Sequence, residues 1–240
     1  MPVYRHRKFK IVMRVVKLYT NLAFIFMFAE IFRMKYELGA PARFVLFFAL
    51  ALFSHTPPLL AQSAYAIAEE HYENKSYEKA IDGFTVFLST NPNHENSYYW
   101  RSKAYRNLEN YEAALADATK AIELDTQDRH NFSLRGDIYY DIKNYRQAIA
   151  DYTRSLNVEP SYLVFIDRGI ANLKLRNFDK AIQDFENGNK LRKDTSSYYY
   201  WLGRTYEEMG RDERAKNTFR KGLQIHPNDK SLNAASNRLQ

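Results

Sequence analysis

Apolar residues in the last three-quarters of the chain recur at helical spacing and also with a longer period of about 34 residues. In each of five blocks, two stretches with apolar residues three and four apart are separated by a short polar turn, which predicts a pair of helices. A repeat of this length is typical of a solenoid built from helical hairpins. An alanine marks the same place in the second stretch of every block: Ala80, Ala114, Ala148, Ala181 and Ala215.

The residues around each marker alanine indicate how the two helices of a block pack. The first helix carries a small residue in its middle, and the second helix carries an aromatic residue one turn after the alanine in four of five blocks. A small residue lets two helices approach closely, and the ring fills the space beside it. Pro92, Pro160 and Pro227 would end three second helices, because proline cannot continue a helix. The small residues are Ala68, Ser102, Gly136, Gly169 and Gly203.

These blocks, in phase with one another, resemble tetratricopeptide repeats. The resemblance implies an all-α fold, a right-handed superhelical solenoid of antiparallel helix pairs. We assign residues 64–229 to five repeats, and residues 230–240 to a capping helix. In that last segment Leu232, Ala235 and Leu239 have helical spacing, which predicts a helix that covers the open apolar face of the final repeat. The repeat blocks are 61–94, 95–128, 129–161, 162–195 and 196–229.

Two charged positions separate the three inner blocks from the two outer ones. An arginine precedes the small residue of the first helix in the inner blocks, and an aspartate follows the marker alanine by three residues. The outer blocks lack both, with Ile67 and Gly83 in the first and Leu202 and Thr218 in the last. Because the two residue types occur in the same blocks, we predict partly buried, structural ion pairs within each hairpin. The pairs are Arg101–Asp117, Arg135–Asp151 and Arg168–Asp184.

The N-terminal quarter of the chain contains two apolar pieces, residues 22–29 and 44–53. Both are shorter than the roughly 20 residues that a membrane-spanning helix needs. Pro57 and Pro58 would end the second apolar helix, and residues 61–63 have the small-residue spacing that signal peptidases recognise. We hypothesise that the protein starts at Met34, is exported to the periplasm or the outside of the cell, and is cleaved after Ser63.

On this hypothesis, residues 34–63 are the signal peptide and residues 1–33 are an untranslated extension or a flexible basic leader. In the alternative, Met1 is the start and both apolar pieces form an uncleaved membrane anchor. The formal net charge of +7 comes entirely from this part of the chain, since residues 1–60 hold nine basic and two acidic residues. The remaining residues hold 26 of each sign, and this neutral array gives no indication of nucleic-acid binding.

Candidate chemistry is sparse in the repeats. The chain has no cysteine, and its histidines lack the spacing of a metal site. Neither a glycine-rich phosphate loop nor a nucleophile elbow occurs. We therefore predict no enzymatic activity, no cofactor and no metal ion.

In the resembling family, the first helices line a concave wall that binds extended peptides or partner helices. The resemblance therefore implies a non-catalytic scaffold that binds a protein segment in this groove. The alternative is a membrane-anchored assembly or quality-control factor for an envelope complex. Trp100 and Trp201 are the preferred groove residues, because tryptophan and arginine often dominate binding. The groove residues implied are Tyr65, Tyr72, Tyr99, Trp100, Lys103, Tyr140, Ile166, Tyr200, Trp201 and Arg204; we expect about half of the tyrosines only to pack between repeats.

Overall fold

The computed structural model describes residues 56–239, and within this range the chain forms eleven α-helices and no strand. The two apolar pieces and Met34 lie outside the described residues. The helices are α1 (Thr56–Glu73), α2 (Tyr77–Thr90), α3 (Glu95–Asn107), α4 (Tyr111–Leu124), α5 (Arg129–Asp141), α6 (Tyr145–Val158), α7 (Tyr162–Lys174), α8 (Phe178–Leu191), α9 (Ser196–Glu208), α10 (Asp212–Ile225) and α11 (Lys230–Arg238).

The first ten helices form five pairs, one in each predicted block, and α11 follows the last pair. Each of α4, α6, α8 and α10 packs against the first helix of its own repeat, and α2, α4, α6 and α8 also pack against the first helix of the next repeat. The first helices α3, α5, α7 and α9 contact one another in sequence. Residues 61–240 thus form a single compact unit. The prediction of an all-α solenoid of antiparallel helix pairs is confirmed.

Matched side-chain sizes set how closely the two helices of a repeat approach. A methyl group added to Gly136 would lie 2.8 Å from the ring of Tyr152, and one added to Gly169 would lie 2.5 Å from the ring of Phe185. In the second repeat the ring is replaced by Ala118, and the glycine is replaced by the larger Ser102. The small residues are therefore required by the rings that they face.

A tight turn joins the two helices of every repeat. In every repeat one turn residue has a positive φ. The angle is 58° at Lys75, 57° at Glu109, 63° at Lys143, 58° at Arg176 and 70° at Gly210. The next amide then bonds back to the first helix, as from Asn110 to the carbonyl oxygen of Tyr105 at 2.9 Å. The left-handed conformation turns the chain back, so that amides of the turn donate to carbonyl oxygens at the end of the first helix. Those carbonyl groups would otherwise be unpaired.

Helix α11 covers the last repeat, as the sequence predicts. Asp229 begins the helix by accepting a hydrogen bond of 2.9 Å from the amide of Leu232. Leu232 and Ala235 are fully buried and pack with Ala215 and Phe219. An apolar face that would otherwise meet water is thereby enclosed.

Helix α1 begins at Thr56, five residues before the block assigned to the first repeat. Pro57 and Pro58 are the second and third residues of this helix as the structure describes it. The predicted cleavage position after Ser63 falls inside this helix. Among residues 56–239, no helix combines the length and apolar character needed to cross a membrane.

Candidate partner-binding site

The three predicted arginine–aspartate pairs form contacts inside their hairpins. Nε of the arginine lies 2.7 Å from the carboxylate in Arg101–Asp117 and in Arg135–Asp151, and Nη2 of Arg168 lies 2.7 Å from Asp184. In the middle repeat the side chains of Arg135 and Asp151 are only 13% and 4% exposed. These pairs are part of the packed interior and are structural.

Each of these arginines also bonds to the preceding repeat. Its Nη1 donates to a threonine on the second helix of that repeat, with distances of 2.9 Å, 3.2 Å and 2.9 Å. A guanidinium group has enough donors to bind a carboxylate and a hydroxyl at the same time. The arginine therefore connects two repeats as well as two helices. The bonded threonines are Thr85, Thr119 and Thr153.

The first helices α1, α3, α5, α7 and α9 together form what we call the first-helix face. At its centre Arg106 of α3 binds two aspartates of α5, with Nε 2.6 Å from Asp141 and Nη1 2.9 Å from Asp137. The hydroxyl of Tyr152 donates to the other oxygen of Asp137 at 2.9 Å. This network crosses from the second repeat to the third, and its ionic side chains are about one-third exposed.

A third carboxylate on this face, Asp167 of α7, has no ion-pair partner within residues 56–239. Burial and the neighbouring Asp137 carboxylate raise the pKa of Asp167 to about 7, and Arg106 opposes the shift. Burial also raises the pKa of Asp137. The centre of the face thus places three carboxylates around one guanidinium group.

Aromatic rings surround a lysine on the neighbouring part of the face. The Nζ of Lys103 lies 4.3 Å from the ring centroid of Trp100, 5.3 Å from that of Tyr99 and 5.4 Å from that of Tyr72. Trp100 meets the ring of Tyr72 edge-on at 5.1 Å. Burial, together with Arg106, lowers the pKa of Lys103. Cation–π contacts hold the lysine over the rings.

The far end of the face is organised by the fifth repeat. The rings of Tyr200 and Trp201 lie 5.0 Å apart, and Trp201 packs against the cluster that contains Phe185. Arg204 is engaged by its own helix, with Nη1 3.0 Å from Glu207 and Nη2 3.6 Å from Glu208. Arg204 is therefore already paired with carboxylates on α9.

The structure corrects one of the predicted groove residues. Ile166 is only 6% exposed and lies in a core cluster with Leu173 and Phe185, so its assignment to an open groove is wrong. Ile166 occupies the place of Tyr65, Tyr99 and Tyr200, which are half-buried, but it packs into the core between the two helices of its own repeat. The other nine are half-buried, and all of them except Arg204 pack against the hydrophobic clusters or one another.

The most polar part of the site is absent from the sequence prediction. Arg106, Asp137 and Asp141 lie at non-equivalent places in their repeats, so the repeat pattern gives no signal for them. The threonines did have a signal, because the fifth residue after the marker alanine is threonine in the first three repeats and Glu186 or Arg220 in the last two. Within the described part of the chain, no group of histidine and acidic side chains is arranged to hold a metal ion. The first-helix face thus combines aromatic rings with carboxylates.

Sequence models of known families match the repeats. The model described as tetratricopeptide repeat matches residues 95–128 and 196–229, which are the bounds of the second and fifth blocks. A second model of the same description matches residues 133–188. No curated protein matches the chain in sequence.

Many solved structures share this fold, and the following three are distant from this chain in sequence. A tetratricopeptide repeat protein from Parabacteroides merdae is 16% identical, with a TM-score of 0.69 over 75% of this chain and 72% of the other. MamA from Desulfovibrio magneticus RS-1 is 18% identical, with a TM-score of 0.66 over 71% and 97% of the two chains. YrrB, described as a repeat protein with an unusual peptide-binding site, is 17% identical, with a TM-score of 0.62 over 72% and 90%.

Proposed function

The chain belongs to the tetratricopeptide repeat family, and from this premise we propose that it is a non-catalytic scaffold that binds a segment of a partner protein in its concave groove. The observation that carries the proposal is the first-helix face, where aromatic rings lie beside three carboxylates and one arginine. Rings supply apolar contact area with little loss of side-chain entropy, and charges set the register of a bound segment. The similarity to YrrB, whose description names a peptide-binding site, agrees with this proposal.

The chemistry of the face favours a particular kind of segment. Arg106 is shared between Asp137 and Asp141, while Asp167 has no ion-pair partner among the described residues. A lysine or arginine of the partner would give Asp167 a counter-ion and would favour its charged form. Apolar or aromatic neighbours in the segment would cover the rings of Tyr99 and Trp100. We therefore propose a segment with a basic residue next to apolar ones.

A peptide library tests this proposal directly. The full chain is immobilised, random peptides of about 12 residues are captured, and the bound pool is sequenced. We expect enrichment of peptides in which lysine or arginine is flanked by apolar residues. The variant Asp141→Asn/Asp167→Asn should lose that enrichment, because it removes two carboxylates without changing side-chain size.

The matched control is Asp82→Asn/Asp179→Asn, which makes the same charge change at exposed positions on two second helices. This control should keep the enrichment of the unsubstituted chain. Enrichment of acidic peptides, or equal enrichment in both double variants, would contradict the groove proposal. Truncation of Trp100 or Trp201 is a weaker test, since both rings also pack on core clusters.

We also propose that the protein is exported or membrane-attached, with its repeats outside the cytoplasm. The proposal is supported by the apolar pieces at residues 22–29 and 44–53 and by the small residues before Ala64. The intact mass of the native protein separates the two forms. A species that begins at Ala64 supports a cleaved signal peptide, and one that begins at Met1 supports the uncleaved anchor of an envelope assembly factor.

A further inference from the structure

A cavity of about 450 Å³ lies between the third and fourth repeats, bounded by α6, α7 and α8. It shares no lining residue with the predicted groove, so it is a separate feature of the molecule. Its lining is mainly polar and includes Arg146, Thr153, Arg168, Asn172, Lys180 and Asp184.

The cavity exists because one repeat lacks a ring. Three residues after the small residue of the first helix, the second, third and fifth repeats carry Tyr105, Tyr139 and Tyr206, and each ring packs against a core cluster. The fourth repeat carries Asn172 at this place, and its side chain is buried with the residue 4% exposed. An asparagine is much shorter than a tyrosine, so the space of the ring is left open.

The same substitution changes the start of α8. In the second and third repeats, Asn110 and Asn144 cap the second helix by accepting from the amides of Ala113 and Gln147. In the fourth repeat, Nδ2 of Asn177 donates to Oδ1 of Asn172 at 3.3 Å, and Asn177 makes no capping bond. The first turn of α8 therefore has no side-chain cap beside the cavity. Uncapped amides at a helix start attract anions.

The rim of the cavity is unusually basic. Two residues before the marker alanine, four repeats carry an acid in the first turn of the second helix, where the helix dipole favours negative charge. The third repeat carries Arg146 there, exposed and without an ion pair among residues 56–239. Lys180 adds a second exposed cation, while Arg168 is neutralised by Asp184. The acids of the other repeats are Glu78, Glu112, Asp179 and Glu213.

We propose that this cavity binds an oxyanion, the carboxylate or phosphate group of a small soluble ligand, between Arg146, Lys180 and the start of α8. Asn172, Arg168 and Asp184 also line the cavity. Nδ2 of Asn172 and Nη2 of Arg168 donate to the Asp184 carboxylate at 3.0 Å and 2.7 Å, so the cations left for an anion are Arg146 and Lys180. This inference is independent of the groove proposal, because neither the residues nor the ligand chemistry is shared. A cation placed against the helix dipole at the mouth of a polar cavity is unfavourable for folding alone, and a bound anion would offset that cost.

Calorimetric titration of the full chain with sodium phosphate and with sodium citrate tests the proposal at low ionic strength. We expect saturable one-to-one binding of at least one of them, with a Kd of about 1 mM or tighter. Arg146→Glu, which restores the acid of the other repeats, and Asn172→Tyr, which restores the ring, should each weaken binding by at least about tenfold. Because Arg146 is exposed, Arg146→Glu should fold, and it tests the proposal even if Asn172→Tyr does not fold.

The matched control is Glu112→Arg, which places an arginine at the equivalent mouth of the junction between the second and third repeats. There the ring of Tyr139 fills the space, so this variant should keep one site and an unchanged Kd. Tighter binding of phosphate than citrate assigns a phosphate ligand, and the reverse order assigns a carboxylate. No saturable heat with either anion, or equal binding by Arg146→Glu, would overturn the proposal.

Discussion

The three inner repeats and the two outer repeats are joined to their neighbours by different chemistry. In each inner repeat an arginine binds the aspartate of its own hairpin and the threonine of the preceding repeat. In the last repeat the arginine is replaced by Leu202, which is 8% exposed, and in the first repeat it is replaced by Ile67, which is 51% exposed. Where the hairpin has no aspartate, an apolar residue can take the place of the arginine, because no carboxylate needs a counter-ion.

This difference shows that the positions of the arginine, the aspartate and the threonine depend on one another. The aspartate alone would be a buried charge, and the arginine alone would lack a counter-ion. The threonine accepts from a guanidinium group that already faces it. In the fifth repeat, Thr218 takes the place of the aspartate and its hydroxyl donates to the backbone carbonyl oxygen of Arg214 at 2.8 Å. Loss of the arginine is thus accompanied by loss of the carboxylate.

The largest effect should come from breaking the middle pair. Asp151→Ala leaves Arg135 without its carboxylate in a nearly buried position, and we expect the free energy of unfolding to fall by about 3–5 kcal/mol. Urea denaturation of the purified variant at neutral pH measures this loss.

The outer repeat supplies the control for that variant. Thr218→Ala removes a side chain from the equivalent place, where no charge is left behind, and should cost less than about 1.5 kcal/mol. Arg135→Met/Asp151→Leu removes both charges together and should cost less than Asp151→Ala alone. Equal losses for Asp151→Ala and Thr218→Ala would contradict the distinction between inner and outer repeats.

Repetition is the reason why the ion pairs could be predicted from sequence. The marker alanine places Arg135 and Asp151 at fixed offsets, and their joint absence from the outer blocks assigns each aspartate to its own hairpin. The same offsets could have linked each arginine to Thr85, Thr119 or Thr153. Helix bounds were also accessible, because a polar turn recurs in every period and a proline follows three of the five second helices.

A second, smaller effect concerns packing inside the repeats. Gly169→Ala would place a methyl group 2.5 Å from the fully buried ring of Phe185, and we expect a loss of about 1–3 kcal/mol. In the first repeat the close approach is relieved instead by Gly83, which faces Ala68. The glycine that allows the close approach thus lies on the first helix in the fourth repeat and on the second helix in the first repeat.

A double-mutant cycle sharpens this comparison. Without the ring, as in Phe185→Ala, the added methyl group of Gly169→Ala has room and should be neutral or stabilising. The resulting pair of small residues resembles Ser102 and Ala118 in the second repeat. A methyl group that costs the same in both backgrounds would show that the ring is not what excludes it. Thermal unfolding of the four chains measures the cycle.

A third prediction concerns the contact between repeats alone. Thr119→Val removes the acceptor that lies 3.2 Å from Nη1 of Arg135 but leaves the ion pair with Asp151 intact. Because the arginine stays paired, the loss should be about 1 kcal/mol. Glu186→Gln is the control, since this exposed residue has the equivalent place before a repeat that lacks the arginine. A change of less than about 0.5 kcal/mol is expected there.

The polar centre of the first-helix face could not be predicted in the same way. Arg106 reaches Asp137 and Asp141 across a junction between repeats, and these residues have no counterparts at the same offsets elsewhere. Their proximity depends on how far one repeat is rotated relative to the next, which a repeat pattern does not encode. Ile166 was assigned wrongly because the same place holds half-buried tyrosines in three other repeats, whereas the isoleucine packs into the core of its own repeat.

The smallest predicted effect separates the turns of the first four repeats from that of the last. Lys143 has a left-handed φ of 63°, which costs a residue with a Cβ about 1–2 kcal/mol, whereas the fifth repeat has Gly210 at 70°. Lys143→Gly removes that strain but increases the entropy of the unfolded chain, which offsets about 0.5–1 kcal/mol. We therefore expect a net gain in stability of less than about 1 kcal/mol. Gly210→Lys should lose a similar amount, because open space around Gly210 leaves backbone strain as the main cost. Urea midpoints that move in the same direction for both variants would show that side-chain contacts, and not the φ angle, distinguish these turns.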